Sequence, residues 1–284
     1  MKNNIVKGVL IAVVICLSIL CVMGLSSQPP ATNTQDLQEI HCKHFIYGIP
    51  LGTSASNDLI IRDIDAMSTN DSTKFADWVA YRLDPETVVG DVETKRVWKA
   101  DPWLAEEETL EPDDYKGAHK ALKTDRGHQA PLASFKGTKC WHETNYLSNI
   151  TPQRSDLNQG PWRILEERVR SFVKDGHVVY ILTGTLYEKE IATLPGADEE
   201  HKIPSGYWKI IIYQARQNDP STLRTAAFLF PQQTPRKAAI SDYQVSIDEL
   251  EKRSGLDVLW ELADDLEGKI EGSLDATWTM EHFH

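Results

Sequence analysis

Apolar positions along the chain fall into two patterns. Residues 59–64 are rich in Ile, and 77–82 (DWVAYR) partly alternate with aromatic and β-branched members. Residues 177–183 (HVVYILT) and 207–213 (YWKIIIY) are unbroken β-rich runs of the kind that fill a buried central strand, and 225–230 is a further strand candidate. A helical period appears over 156–173, where Trp162, Leu165, Val169 and Phe172 recur at three- and four-residue spacing. A second helix is predicted over 246–253, with Asp248 and Glu249 in its first turn and Gly255 beyond its end. Strands and helices do not alternate regularly. The pattern therefore predicts an α+β fold with a mostly antiparallel sheet rather than a doubly wound parallel one.

The N-terminus is different. Lys2 and Lys7 precede residues 8–25, GVLIAVVICLSILCVMGL, which carry no charge. A positive start before an apolar run is a signal peptide or a membrane anchor, assigned here to residues 1–27. Either one places the rest of the chain outside the cytoplasm, in a periplasmic or extracellular setting. Residues 28–40 are polar, carry two prolines and read as a linker. One domain is expected over 41–275, with 276–284 as a short C-terminal tail. Cys16 and Cys21 lie in the apolar run, so Cys42 and Cys140 are the pair left for an oxidising compartment. They are either a disulfide or two unpaired, buried thiols.

Composition adds limits. With 284 residues, 41% hydrophobic and 25% charged, the chain is neither collagen-like, nor a long coiled coil, nor wholly disordered. The net charge of −12 argues against non-specific coating of nucleic acid. It leaves room for a local cationic cleft, because a site depends on its own field. Neither GxGxxG nor GxxxxGK[ST] occurs, which removes dinucleotide and P-loop readings. No CxxC occurs, so zinc ribbons and thioredoxin-like chemistry have no support.

The densest chemistry lies in 124–137, TDRGHQAPLASFKG, and 145–170, NYLSNITPQRSDLNQGPWRILEERVR. Asp125, Arg126 and His128 fall within four residues. A histidine beside an arginine is kept from protonating by like charge and is available as a base near neutral pH. Asn158 and Glu166 follow. On a continuous helix, eight residues leave them on neighbouring faces two turns apart. An amide oxygen with a nearby carboxylate suits a hydrated Mg²⁺, which prefers oxygen ligands and keeps most of its waters. Taken singly, each residue has a plainer reading: a surface histidine, a loop asparagine, a solvated glutamate or a structural arginine.

Together these blocks resemble the DNA/RNA non-specific endonuclease family, the ββα-metal nucleases of the Serratia nuclease type. The resemblance runs through DWVAYR (77–82), KRVWKADP (95–102), DYKGAHKALKTDRGHQAPLAS (114–134) and NYLSNITPQRSDLNQG (145–160). It continues through LTGTLYE (182–188), IPSGYWK (203–209), FLFPQQTP (228–235) and IDELEKRSGL (247–256). The resemblance implies a ββα-metal fold: a central, mostly antiparallel sheet flanked by helices, its site where a β-hairpin meets the Asn158 helix. It implies a metal-dependent endonuclease acting on DNA and RNA, with Mg²⁺ as cofactor and Mn²⁺ as a substitute. It implies His128 as general base, Asn158 as the direct metal ligand and Glu166 holding metal waters. Arg96 and Arg126 bind phosphate or stabilise the transition state, and Asn149 positions His128 or the substrate. Two features depart from the family pattern. Pro161 follows Gly160 where Ala is common, so Asn158 is expected at or before a helix start or at a kink. Cys42 also lacks the neighbouring cysteine the family carries. The alternatives are a catalytically inactive binding protein of this fold, against which the intact residue set argues, and a nuclease toxin or effector, against which the lack of a delivery domain argues.

Overall fold

The computed structural model describes residues 40–90 and 96–284. The expected leader, the membrane anchoring through 8–25 and nearly all of the linker lie outside the described residues. Among the described residues no helix is long and apolar enough to cross a membrane.

Nine strands form among the described residues: β1 (Asp58–Ile61), β2 (Ala66–Asn70), β3 (Phe75–Leu83), β4 (Thr124–His128), β5 (Ile150–Arg154), β6 (Val179–Leu186), β7 (Gly206–Gln214), β8 (Leu223–Pro231) and β9 (Gln244–Val245). Seven of them make one sheet in the order β1-β2-β3-β6-β7-β8-β9, with every neighbouring pair antiparallel. The unbroken run at 207–213 has a simple cause, because β7 is covered on both faces. Successive side chains point to opposite sides. Tyr207 and Ile211 join one buried cluster, while Trp208, Ile210 and Ile212 join another. Lys209 lies between Tyr207 and Ile211 and is itself buried.

The helices are α1 (Pro85–Val88), α2 (Ala118–Leu122), α3 (Ser155–Leu157), α4 (Arg163–Lys174), α5 (Ile247–Ser254), α6 (Asp264–Glu271) and α7 (Ala276–Phe283). α4 places Leu165, Val169, Phe172 and Val173 in the first cluster. α5 places Ile247 and Leu250 in the second, and Leu266 and Ile270 of α6 pack against it. Helices therefore cover both faces of the sheet, as the sequence predicts. α5 also begins and ends as expected: Ser246 Oγ accepts from Glu249 N at 3.2 Å, and Gly255 closes the helix at φ +75°.

The structure adds to the sequence reading in two places. Residues 276–284 are not a loose tail. They form α7, which buries Trp278 and Phe283 against Phe172 of α4, with ring centroids at 5.8 and 5.7 Å. The aromatic spacing supplies the apolar stripe that docks the helix. Cys42 and Cys140 are free, only partly buried thiols rather than a disulfide. Cys42 packs against the cluster under α5 and Cys140 against the cluster under α4, so each serves a different apolar surface.

Candidate active site

β4 and β5 form a separate two-stranded antiparallel sheet, with Asp125 opposite Gln153 and His128 opposite Ile150. The residues after β5 run directly into α3 and the turn Asn158–Trp162, so β4 lies beside the start of the α4 region. Pro161 lies inside this turn and Gly160 leaves helical geometry at φ −105°, ψ −119°. Asn158 itself is helical, at φ −57°, ψ −46°. It thus stands ahead of a kink, as Pro161 suggests, and the continuous-helix relation to Glu166 does not apply. A Cβ on Gly160 would meet Arg236 O at 2.5 Å, so the kink also packs tightly against the residue-236 backbone.

Asp125 ties strand to turn. Its Oδ2 accepts from Asn158 Nδ2 at 3.0 Å and Gln159 Nε2 at 2.7 Å, and its Oδ1 accepts from Ser155 Oγ at 2.7 Å. Partial burial pushes the Asp125 carboxyl up, but these three donors outweigh it and leave it below its ordinary range. Because Asn158 gives its amide nitrogen to Asp125, its Oδ1 is turned free and accepts no hydrogen bond among the described residues. That oxygen is the donor a hard divalent cation requires.

His128 stands three residues along the same strand, about 10 Å from Asp125 at the usual strand rise. Its Nε2 bonds Asn145 Oδ1 at 3.2 Å, and its ring lies 5.4 Å from that of Trp98. Burial pushes its pKa down to about 4; the Asn145 bond raises it and the Arg96 charge lowers it further. The cation acting on His128 is therefore Arg96, not the chain neighbour Arg126. Arg96 is exposed and shares a cleft of about 490 Å³ with Trp98, Arg126, Asp125 and Asn158. Arg126 is gripped between two rings, its guanidinium carbon 5.3 Å from the Trp98 centroid and 5.1 Å from that of Tyr115. One of its nitrogens donates to Pro112 O at 2.8 Å, while Nε has no partner among the described residues.

The segment carrying Arg96 and Trp98 is stitched to the loop carrying Asn145. Leu147 N donates to Lys99 O at 2.9 Å. Behind it Asp101 is wholly buried, accepting from Arg62 and from Ser148 Oγ. This lock explains why KRVWKADP and NYLSN fall together in space.

Glu166 is further back. It does not line the cleft, and its carboxylate is mostly buried, 4.0 Å from Arg170. Burial pushes its pKa up to about 7, while Lys209, Arg170 and then Trp162 pull it down. Asn149 is fully buried. Its Oδ1 accepts from Ala130 N at 2.8 Å, and its Nδ2 donates to Ala130 O and Thr144 O, both at 2.9 Å. All of these partners are backbone groups of Ala130 and Thr144. Asn149 braces the backbone next to His128 and Asn145. Asn145, Trp98 and the Asp125 clasp escaped the sequence reading, although NYLSN and KRVWK contain the first two.

A family model described as DNA/RNA non-specific endonuclease matches residues 45–265. A Serratia marcescens protein named "Nuclease" is 47% identical over 225 residues, covering 78% of this chain and 82% of its own. A "Nuclease" of Nostoc sp. is 28% identical over 277 residues, covering 93% of this chain and 97% of its own. Among solved structures, EndoG in complex with EndoGI superposes with a TM-score of 0.63 at 23% identity, covering 76% of this chain and 90% of that one; this likeness is one of fold.

Proposed function

The chain belongs to the DNA/RNA non-specific endonuclease family, and from that footing we propose that it is an exported, Mg²⁺-dependent enzyme using His128 as general base. It is a metal-dependent hydrolase of phosphodiester bonds in DNA and RNA. Two observations support the finer reading: an imidazole oriented by Asn145 on β4, and an Asn158 amide whose nitrogen is held by Asp125 of the same strand, at the edge of the cleft that Arg96 and Arg126 line.

An amide oxygen can only accept, so His128 Nε2 carries the proton shared with Asn145 Oδ1 and Nδ1 keeps its lone pair. With its pKa lowered to about 4, the ring is uncharged at neutral pH and can take a proton from an attacking water. Such base catalysis contributes about 10²–10⁴-fold. Asn158 Oδ1 would bind the cation directly, and Glu166, set back from the cleft beside Arg170, would reach it only through water. A divalent cation held there, Mg²⁺ or Mn²⁺, would supply Lewis-acid stabilisation of the negative charge that builds up at the reacting phosphate. Arg96 at the exposed cleft wall and Arg126 clamped by two rings would meet the remaining phosphate charge. No base-edge reader is needed for such a site, which fits tolerance of both DNA and RNA. The uncharged run at 8–25 after Lys2 and Lys7 supports export, with either cleavage or retention as an anchor.

Incubation with plasmid DNA and with RNA in Mg²⁺ tests this. Fragments of both are expected, carrying 5′-phosphates and 3′-hydroxyls that a ligase joins without prior kinase treatment. Chelator should stop the reaction, and Mn²⁺ should restore it. Undiminished cleavage in excess chelator would remove the metal from the account.

A further inference from the structure

A second group of carboxylates lies on the other face of the sheet. α5 and α6 pack on the cluster opposite the one that α4 covers. There Asp248 and Glu251 of α5 meet Glu271 at the end of α6, and one carboxylate oxygen from each lies within 4.8 Å of the others. Their burial differs. Asp248 is exposed and Glu251 half-buried, but Glu271 is only 7% exposed. Glu271 Oε1 is sealed from solvent and has no hydrogen-bond partner among the described residues. None of the three forms an ion pair among the described residues, although Lys252 and Lys269 lie on the same two helices.

A buried carboxylate without a donor or counter-charge is costly, and the surroundings make matters worse. Burial, then Glu251, Glu267, Asp248 and Asp257, push Glu271 up to about 8. Burial, then the like charges of Asp257, Asp248 and Glu267, push Glu251 up to about 7 against the one donor that reaches it, Val258 N at 2.8 Å. That donor occupies Oε1 and leaves the second oxygen of Glu251 spare. Gly272 borders the group, and a Cβ there would stand 3.3 Å from Asp248 Oδ2, so the glycine keeps the carboxylate unobstructed.

We propose that Asp248, Glu251 and Glu271 form a calcium site that clasps α5 to the end of α6, separate from the catalytic metal centre. The donors are all hard oxygens and carry three negative charges. Water access at Asp248 completes a shell of six to eight ligands, an irregular number that Ca²⁺ accepts and Mg²⁺ does not. The site lies on a different face from Asn158, so it acts on stability rather than on the reacting phosphate.

The test uses the full chain stripped of metal, with Asn158→Ala to silence the catalytic centre. Calorimetric titration with CaCl₂ should give one site of Kd about 10⁻⁴–10⁻³ M, the range of extracellular calcium modules. Adding Glu271→Gln should weaken it at least about tenfold, and Asp248→Asn, at an exposed position, should do likewise. In the otherwise native chain, calcium should raise the melting temperature by about 3 °C, and Glu271→Gln should abolish that rise. The Glu271→Gln protein should melt no lower than the native chain in chelator and should still cleave plasmid in Mg²⁺, which shows that it folds. The proposal is overturned if Asn158→Ala takes up no calcium at about 10 mM, or if both carboxylate variants bind as the parent does. The first result would mean a shared proton holds the cluster together.

Discussion

At the scale of residues, the chemistry rests on what each side chain has left over. His128 gives Nε2 to Asn145 and keeps Nδ1; Asn158 gives Nδ2 to Asp125 and keeps Oδ1. Burial and Arg96 hold the imidazole near pKa 4. Protonation removes the base, so kcat/KM should fall only as pH drops through about 4, and stay level from there to neutrality. A pH–rate profile checks this, and an acid limb near 6.5 would mean an ordinary solvated histidine. His128, Asn158 and Arg96 could be named as candidates from the sequence because their blocks resemble a known family. Asn145 and Trp98 could not, because an amide that orients a ring has no spacing signature. Nor could the source of the His128 shift, since Arg96 lies 32 positions away in the chain but close in space.

At the scale of elements, β4 and the Asn158 turn act as one unit joined by Asp125. Asp125→Ala should free the Asn158 amide to rotate. The expected result is a rise of about 10–100-fold in the Mg²⁺ concentration for half-maximal rate, with a smaller loss at saturating metal. Metal titrations of the two proteins measure it, and an unchanged requirement would leave the clasp without a role. The long strands β3, β6, β7 and β8 were readable from apolar runs, because burial on both faces removes polar positions. β4 and β5 were not. In TDRGH and ITPQR burial does not follow residue polarity: β4 leaves Asp125, Arg126 and His128 partly exposed, while β5 buries Thr151 and Gln153 along with Ile150, so no hydrophobic period survives. α4 was foreseen, but its true start follows the Gly160–Pro161 kink at Arg163 rather than 156.

At the scale of the whole molecule, a strongly acidic protein presents a small cationic cleft to an anionic polymer. The net charge of −12 gave no sign of that cleft, because Arg96 and Arg126 come from distant blocks brought together by the Arg62–Asp101–Ser148 lock. The C-terminus also belongs to the fold. Removing residues 276–284 exposes the surface under Trp278 and Phe283, each worth about 1.5–3 kcal/mol of burial. Urea denaturation should show a loss of several kcal/mol, whereas removal of a true tail would cost nothing. The central claim is that the imidazole of residue 128 activates the attacking water while the amide of residue 158 anchors the metal. The most direct measurement is the single-turnover cleavage rate of a short oligonucleotide by His128→Ala, with its fold verified by circular dichroism. A fall of at least about 10²-fold in saturating Mg²⁺ is expected, and cleavage within a few-fold of the native rate would contradict it.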